Sequence, residues 1–211
     1  MKAILNRAVY EKVIHENPIK SVKCSAKVEA KRPRVLSNQE LKKLATVLDP
    51  DLKELLTVLL STGLREFEVL SIEWNDIRAG VLTVRGDISK NGKARHITLN
   101  KLCEDALHRI FERKETISGT DKIFGHLVTN PLGGRTGLEN RLRAAFHSAG
   151  IRGDGLGFHV FRHTFATRLI RIGVDIKTVQ DLLGHSDIKT TLVYLHTSEQ
   201  RKWDAVNKLI S

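Results

Sequence analysis

Apolar residues recur at three- and four-residue intervals along most of this chain, and the rhythm changes to strict alternation at Val81 to Arg85 and Ala94 to Leu99. Three- and four-residue spacing builds amphipathic helices, whereas two-residue spacing builds half-buried strands. Two short strands cannot organise a large sheet, so helices must form the body of the domain. The fold class that follows is mainly α with a small antiparallel β-sheet, of the α+β kind. Ser89-Lys90-Asn91-Gly92-Lys93 is the turn-rich connection between the strands.

Local punctuation sets the helix ends. Ser37-Asn38-Gln39-Glu40 is a capping box, in which the serine side chain accepts a backbone N–H and the glutamate reaches back, opening a helix through about Leu48. A second helix follows Asp49-Pro50, turns Leu52, Leu55, Leu56, Leu59 and Leu60 inward, and stops at Thr62-Gly63; a third begins at Arg65. Further helices are expected over Lys101 to Lys114, Arg135 to Ala149, Val160 to Ile172, Asp175 to Leu183, Asp187 to Leu195 and Glu199 to Ile210, with Gly184 closing the fourth of these. At the front, Ile4, Leu5, Ala8, Val9 and Val13 keep helical spacing until Asn17-Pro18. Lys20, Lys23, Lys27, Lys31 and Arg32 then follow with little apolar content, the composition of a basic tether. A short helix ahead of a tether cannot bury its apolar face alone, so the chain is expected to be the C-terminal part of something longer. The expected division is a remnant helix at 1–16, a linker at 17–33, the main domain at 34–198 and a tail helix at 199–211.

Lysine and arginine number 35 against 24 acidic residues, a formal charge of +11. Such an excess points to a polyanionic partner, nucleic acid before membrane. Cys24 and Cys103, the two cysteines, make no disulfide scaffold, and a reducing, cytoplasmic compartment is expected. The longest apolar stretches are too short to span a bilayer. Lys2, Arg7, Glu11 and Lys12 break up the N-terminus, so it does not read as a signal peptide.

Of the two tyrosines, Tyr10 lies in the remnant helix, which leaves Tyr194 as the one phenol of the main domain. His159 and Arg162 stand three apart at the head of a helix and share a face. Arg65 sits at a helix start, where the dipole does not favour a cation, and Glu68 one turn on can orient it. Lys90 tips the strand connection, and His185 follows the closing Gly184. Taken singly, each has an ordinary explanation in capping, packing or solubility. His159 and His163 have the spacing of a zinc-protease helix, but that motif needs a glutamate directly after the first histidine, and Val160 stands there. Two arginines, two histidines, a lysine and a phenol, with no paired carboxylates and no cysteine nucleophile, suit attack on a phosphodiester. Guanidiniums clamp its non-bridging oxygens, a phenol can attack, and a lysine can protonate the departing alkoxide.

At these residues the sequence resembles the tyrosine recombinases of the phage integrase family. Thr62-Gly63-Leu64-Arg65 with Glu68, and Leu70 through Trp74 and Asp76, is similar to the family's first-arginine box. Ser89 through Arg95 is similar to its hairpin lysine, His159 through Thr167 to its second box, and Leu182-Leu183-Gly184-His185-Ser186 with Tyr194 to its last. The match runs in order from about Arg34 to Arg201. Phe161, where leucine is usual, and Thr98, where proline is frequent, are minor departures.

The resemblance implies the tyrosine recombinase catalytic-domain fold over 34–198, behind the last helix of a core-binding domain. It implies that Arg65, Arg162 and His185 hold the scissile phosphate and that Glu68 supports Arg65. Lys90 is then the general acid for the 5′-hydroxyl, and His159 an acid/base and positioning group. Tyr194 attacks, leaving a 3′-phosphotyrosyl link that a partner strand reopens through a Holliday junction. His163 is expected to be structural. Because the phosphotyrosine conserves bond energy, no cofactor and no metal are implied. The implied partners are double-stranded DNA, further copies in a tetramer on DNA (a monomer alone) and an accessory DNA-bending or excisionase protein. A bacterial or phage-encoded, nucleoid-associated protein is the implied setting. The tail, amphipathic through Trp203, Val206, Leu209 and Ile210, docks either on a neighbouring protomer or on its own domain. A type IB topoisomerase-like nicking-closing enzyme and an inactive DNA-binding fragment are the alternatives.

Overall fold

A computed structural model of the chain describes residues 2–20, 33–129, 133–195 and Asn207. Apart from Asn207, the expected tail helix lies outside the described residues, as does most of the expected linker. The chain divides into two compact units, Met1–Arg32 and Pro33–Ser211.

In the first unit α1 spans Lys2–Tyr10, shorter than the apolar spacing suggests. The helix stops because Lys12 adopts a left-handed conformation at φ 57°. Its N–H then reaches Val9 O at 3.0 Å, and the Val13 N–H reaches Ala8 O at 2.9 Å, the paired bonds of a Schellman close. Lysine fills the place glycine usually takes, so the sequence carries no stop signal there. Downstream, the Asn17 side chain donates to Asn6 Oδ1 at 2.6 Å and accepts from the Ile19 N–H at 3.0 Å.

The second unit begins with α2 (Asn38–Val47), and its capping box is complete: Glu40 N–H donates to Ser37 Oγ at 3.2 Å and Ser37 N–H to Glu40 Oε2 at 2.8 Å. Asp49 caps α3 (Pro50–Thr62) through the Leu52 N–H at 3.0 Å, and Pro50 fills the first turn, where its missing N–H costs nothing. Leu52, Leu55, Leu56 and Leu59 of α3 are buried and pack toward α5 (Lys101–Glu112) and α7 (Phe158–Arg171). Short α4 (Glu66–Ser71) leads through the turn Trp74–Asp76 into a three-stranded antiparallel sheet of β1 (Ile77–Arg78), β2 (Val81–Val84) and β3 (Arg95–Thr98), in that spatial order. Strand β1 has no sequence signature: it is two residues long, and its turn to β2 uses Ala79 and Gly80 at φ 48° and 73° rather than a typical Asn-Gly pair. In the β2–β3 register Val84 faces Arg95 and Leu82 faces Ile97.

After α6 (Gly134–Ser148), whose Phe146 ring stacks on Phe161 at 5.9 Å, α7 runs through the middle of the unit. Phe165, Ala166 and Ile170 of α7 form a second apolar cluster with Val179 and Leu183 of α8 (Ile176–Leu183) and with Tyr194. That cluster fixes the end of α8 against α7. After α8, α9 (Lys189–Leu192) is a single turn rather than the longer helix expected over Asp187 to Leu195. Among the described residues no helix is long and apolar enough to cross a membrane.

Candidate active site

The last carbonyls of an α-helix have no partner within the helix. At the end of α8, three consecutive ones receive three arginines from different parts of the chain. Arg95 Nε donates to Leu182 O at 2.9 Å, Arg162 Nη2 to Leu183 O at 2.6 Å, and Arg65 Nη2 to Gly184 O at 3.2 Å. Arg162 also donates from Nη1 to Gly63 O at 2.7 Å, at the end of α3. Cations at the negative ends of two helix dipoles are well placed. Gly63 and Gly184 close these helices at φ 64° and 63°, and a Cβ at Gly63 would lie 2.3 Å from the Phe165 ring.

Glu68 holds two of the three arginines. Its carboxylate accepts from the Arg65 backbone N–H and Nη1, both at 2.8 Å, and from Arg95 Nη1 and Nη2 at 3.1 and 2.7 Å. Four donors saturate a carboxylate. Burial pushes Glu68 upward, but the bonds and charge of Arg95, then Arg65, prevail and hold it below the ordinary carboxylate range. Arg162 is 3% exposed. Its burial and the charge of Arg65 bring its pKa down to about 9, still protonated at neutral pH. One carboxylate thus stands against three guanidiniums, an imbalance that a phosphodiester would offset.

His185 follows Gly184, with Nδ1 2.8 Å from Thr191 Oγ1 and its carbonyl accepting from Gln180 Nε2 at 2.9 Å. Burial, then the charges of Arg162, Arg65 and Arg95, push it down to about 4, so it is neutral at pH 7. Tyr194 follows α9 and is 3% exposed. Its hydroxyl lies 2.7 Å from His163 Nδ1, the rings 5.5 Å apart. His163 is likewise brought down to about 4 by burial, then by His159 and Arg162, and burial raises the phenol against the opposing pull of Arg162 and Arg65. The pair therefore rests as neutral imidazole and neutral phenol.

Arg65, Glu68, Arg162, His185 and Tyr194 thus come to one region although they are spread over most of the second unit. Lys90 and His159 are not in contact with that cluster: both are exposed, Lys90 on the β2–β3 connection and His159 at the head of α7, its ring 6.4 Å from that of His163. A cleft of about 450 Å³ lies between the connection and α8, with Lys93, Arg95, His185 and Ser186 among its walls. Two participants escape the sequence reading. Arg95 shares the inner face of β3 with Ile97, and an arginine at an inward position of an alternating strand must find a buried partner; that was the available signal. His163, expected to be only structural, meets the Tyr194 hydroxyl, and nothing in the spacing announces it.

The same arrangement of segments is found in known proteins. The sequence profile of the phage integrase family matches residues 34–201. The chain is 34% identical over 204 residues to tyrosine recombinase XerC of Caldanaerobacter subterraneus, covering 93% of this chain and 56% of that protein. It is 31% identical over 214 residues to a tyrosine recombinase of Pseudothermotoga lettingae, covering 100% of this chain and 72% of that one. In structure it is similar to XerA recombinase, at a TM-score of 0.67 and 27% identity over 87% of this chain and 66% of that one. The Tn1549 transposon integrase in complex with a circular intermediate DNA shares the fold at a TM-score of 0.75 and 21% identity, over 98% of this chain and 76% of that one. With the profile spanning most of its length and these relatives on both sides, the chain belongs to the phage integrase family.

Proposed function

We propose that this chain is the catalytic domain of a site-specific DNA recombinase that cuts and rejoins strands through a 3′-phosphotyrosyl intermediate. The observation that carries the reading is the convergence of Arg95, Arg162 and Arg65 on the consecutive carbonyls of Leu182, Leu183 and Gly184, with the Tyr194 phenol within reach of the charges of Arg162 and Arg65. The names of the relatives as tyrosine recombinases, and a circular intermediate DNA in the Tn1549 integrase complex, support the same substrate.

In this reading Arg65 and Arg162 bind the two non-bridging oxygens of the scissile phosphate, exchanging part of their carbonyl bonds for stronger charge-assisted ones. Their positive field stabilises the charge that builds on five-coordinate phosphorus. His185, oriented by Thr191, donates a further bond from its other ring nitrogen. The phenol leaves His163, passes its proton to His159 and attacks phosphorus. The bond to the 5′ oxygen breaks, and Lys90 protonates that oxygen once the connection closes over the DNA. His159 serves as the acid/base and positioning group beside the nucleophile. Double-stranded DNA is the partner, bound by a tetramer during strand exchange.

A pool of random-sequence duplexes, each nicked a few bases from one end, tests the reading. The nicked fragment diffuses away after cleavage and traps the covalent state. Wild-type protein is expected to give a denaturant-stable adduct whose DNA can be sequenced, at a rate unaffected by EDTA, and Tyr194→Phe to give none. Retarded DNA without an adduct leaves only the inactive DNA-binding reading.

A further inference from the structure

The connection that carries Lys90 is tied at its end to the helix that begins beside Arg65, and at its start to that helix's last carbonyl and the turn that follows it. At its start Arg85 donates from Nη2 to Ser71 O, the last residue of α4, at 3.3 Å and to Glu73 Oε1 at 3.2 Å. Arg85 Nη1 pairs with buried Asp76. At its end Arg95 holds Glu68, in the middle of α4, through two bonds, and Leu182 O through a third. Between these feet the connection carries its own bracing. Ser89 N–H donates to Gly86 O at 3.2 Å, Gly92 N–H to Ser89 O at 3.1 Å, and Asn91 Oδ1 accepts from Ser89 Oγ at 2.6 Å and Lys93 N–H at 3.1 Å. Lys90 itself is exposed, so its place depends on its backbone. A surface loop could be tied down anywhere; this one is held by two forked cations, one on the middle of the element that presents Arg65 and the other on its last carbonyl and the turn beyond it.

We propose that Arg85 and Arg95 are positioning residues that set Lys90 against the scissile phosphate by pinning the two feet of its connection to α4 and to the turn that follows it. The proposal rests on the roles of Tyr194 and Lys90 given above. Arg65 has bonds of its own to Glu68 and Gly184 O that do not run through Arg95, so in an Arg95 variant the loss is expected to fall on Lys90 rather than on the phosphate clamp. A lysine in place of either arginine keeps the charge but cannot fork to two or three acceptors at once.

The test uses the duplex recovered from wild-type adducts, made in two forms: one with ordinary phosphate, one with sulfur replacing the bridging 5′ oxygen at the scissile position. In the second form the Tyr194 oxygen bonds to phosphorus while the phosphorus–sulfur bond breaks, and the thiolate departs without needing a proton. Lys90→Ala is then expected to be slow on ordinary DNA and close to wild type on the sulfur form. Arg95→Lys and Arg85→Lys should cleave ordinary DNA about tenfold to a hundredfold more slowly at saturating DNA, with binding unchanged, and recover on the sulfur form. Either arginine variant combined with Lys90→Ala should be no slower than Lys90→Ala alone. Equal slowing on both substrates, multiplicative losses in the double variants, or no slowing at all overturns the proposal. Arg85 is the more exposed of the two, so its variant decides the matter if Arg95→Lys does not fold. If Lys90→Ala itself gains nothing from sulfur, the role of Lys90 fails and the proposal with it. If Lys90→Ala recovers and the arginine variants do not, this proposal alone is overturned.

Discussion

His163 and His185 each stay neutral well below the pH at which a free histidine takes up its proton, down to about 4 from 6.5. Between those values the unfolded chain binds protons that the folded chain refuses, so acid favours unfolding in that window. Glu68, held below its ordinary value, adds to the loss at the lower end. The melting temperature is expected to be nearly level above pH 7 and to fall as pH drops from 6.5 to 4, followed by circular dichroism in buffers of constant ionic strength. A level profile across that range contradicts the buried neutral state of both imidazoles. At this scale the sequence was informative where residue type limits chemistry. A lone phenol in the main domain, Arg65 at a helix start, Arg162 three residues from His159 and a carboxylate one turn from Arg65 could all be picked out. What it hid was pairing: Arg95 with Glu68 and His163 with Tyr194 lie 27 and 31 positions apart, and no local pattern records such contacts.

Helix ends decide how these groups meet. Gly63 must both turn left-handed and leave room for Phe165, whereas Gly150 turns at φ 67° with nothing within 4 Å of where a Cβ would be. Gly63→Ala therefore combines the left-handed cost of about 1–2 kcal/mol with overpacking of a similar size, for a total of about 2–4 kcal/mol. Gly150→Ala should lose only the first part. Urea titrations of the two variants measure the difference directly, and equal losses would refute the steric part of the argument. Elements with strong end signals were legible: the Ser37 box, Asp49-Pro50, and the glycines after α3 and α8 place their helices closely. The elements that were not legible lack such marks. Helix α1 is closed by a lysine in a glycine's conformation, β1 is two residues long, and α9 is one turn within a stretch whose apolar spacing suggested more.

For the molecule as a whole, the proposed function together with the charge of +11 and the arginine cluster would make DNA association an exchange of counterions. The logarithm of the binding constant should fall with the logarithm of salt by about 0.9 for each phosphate contacted. Arg141, whose Nη2 pairs with Asp49 at 2.8 Å, is expected to add little to that slope, whereas neutralising Lys93 in the cleft wall is expected to lower it by about one contact. Fluorescence anisotropy with a labelled duplex, from low to moderate salt, reads both. The mainly helical fold was legible because periodicity is a whole-chain property; the gathering of the site was not, because it depends on which helix ends abut. Each of the two units carries a single tyrosine, and they are opposites: Tyr10 is 79% open to solvent and Tyr194 3%. A ring-nitrating reagent should therefore mark one position in the free protein. The appearance of a second mark on adding DNA would time the moment at which the sealed ring is drawn out.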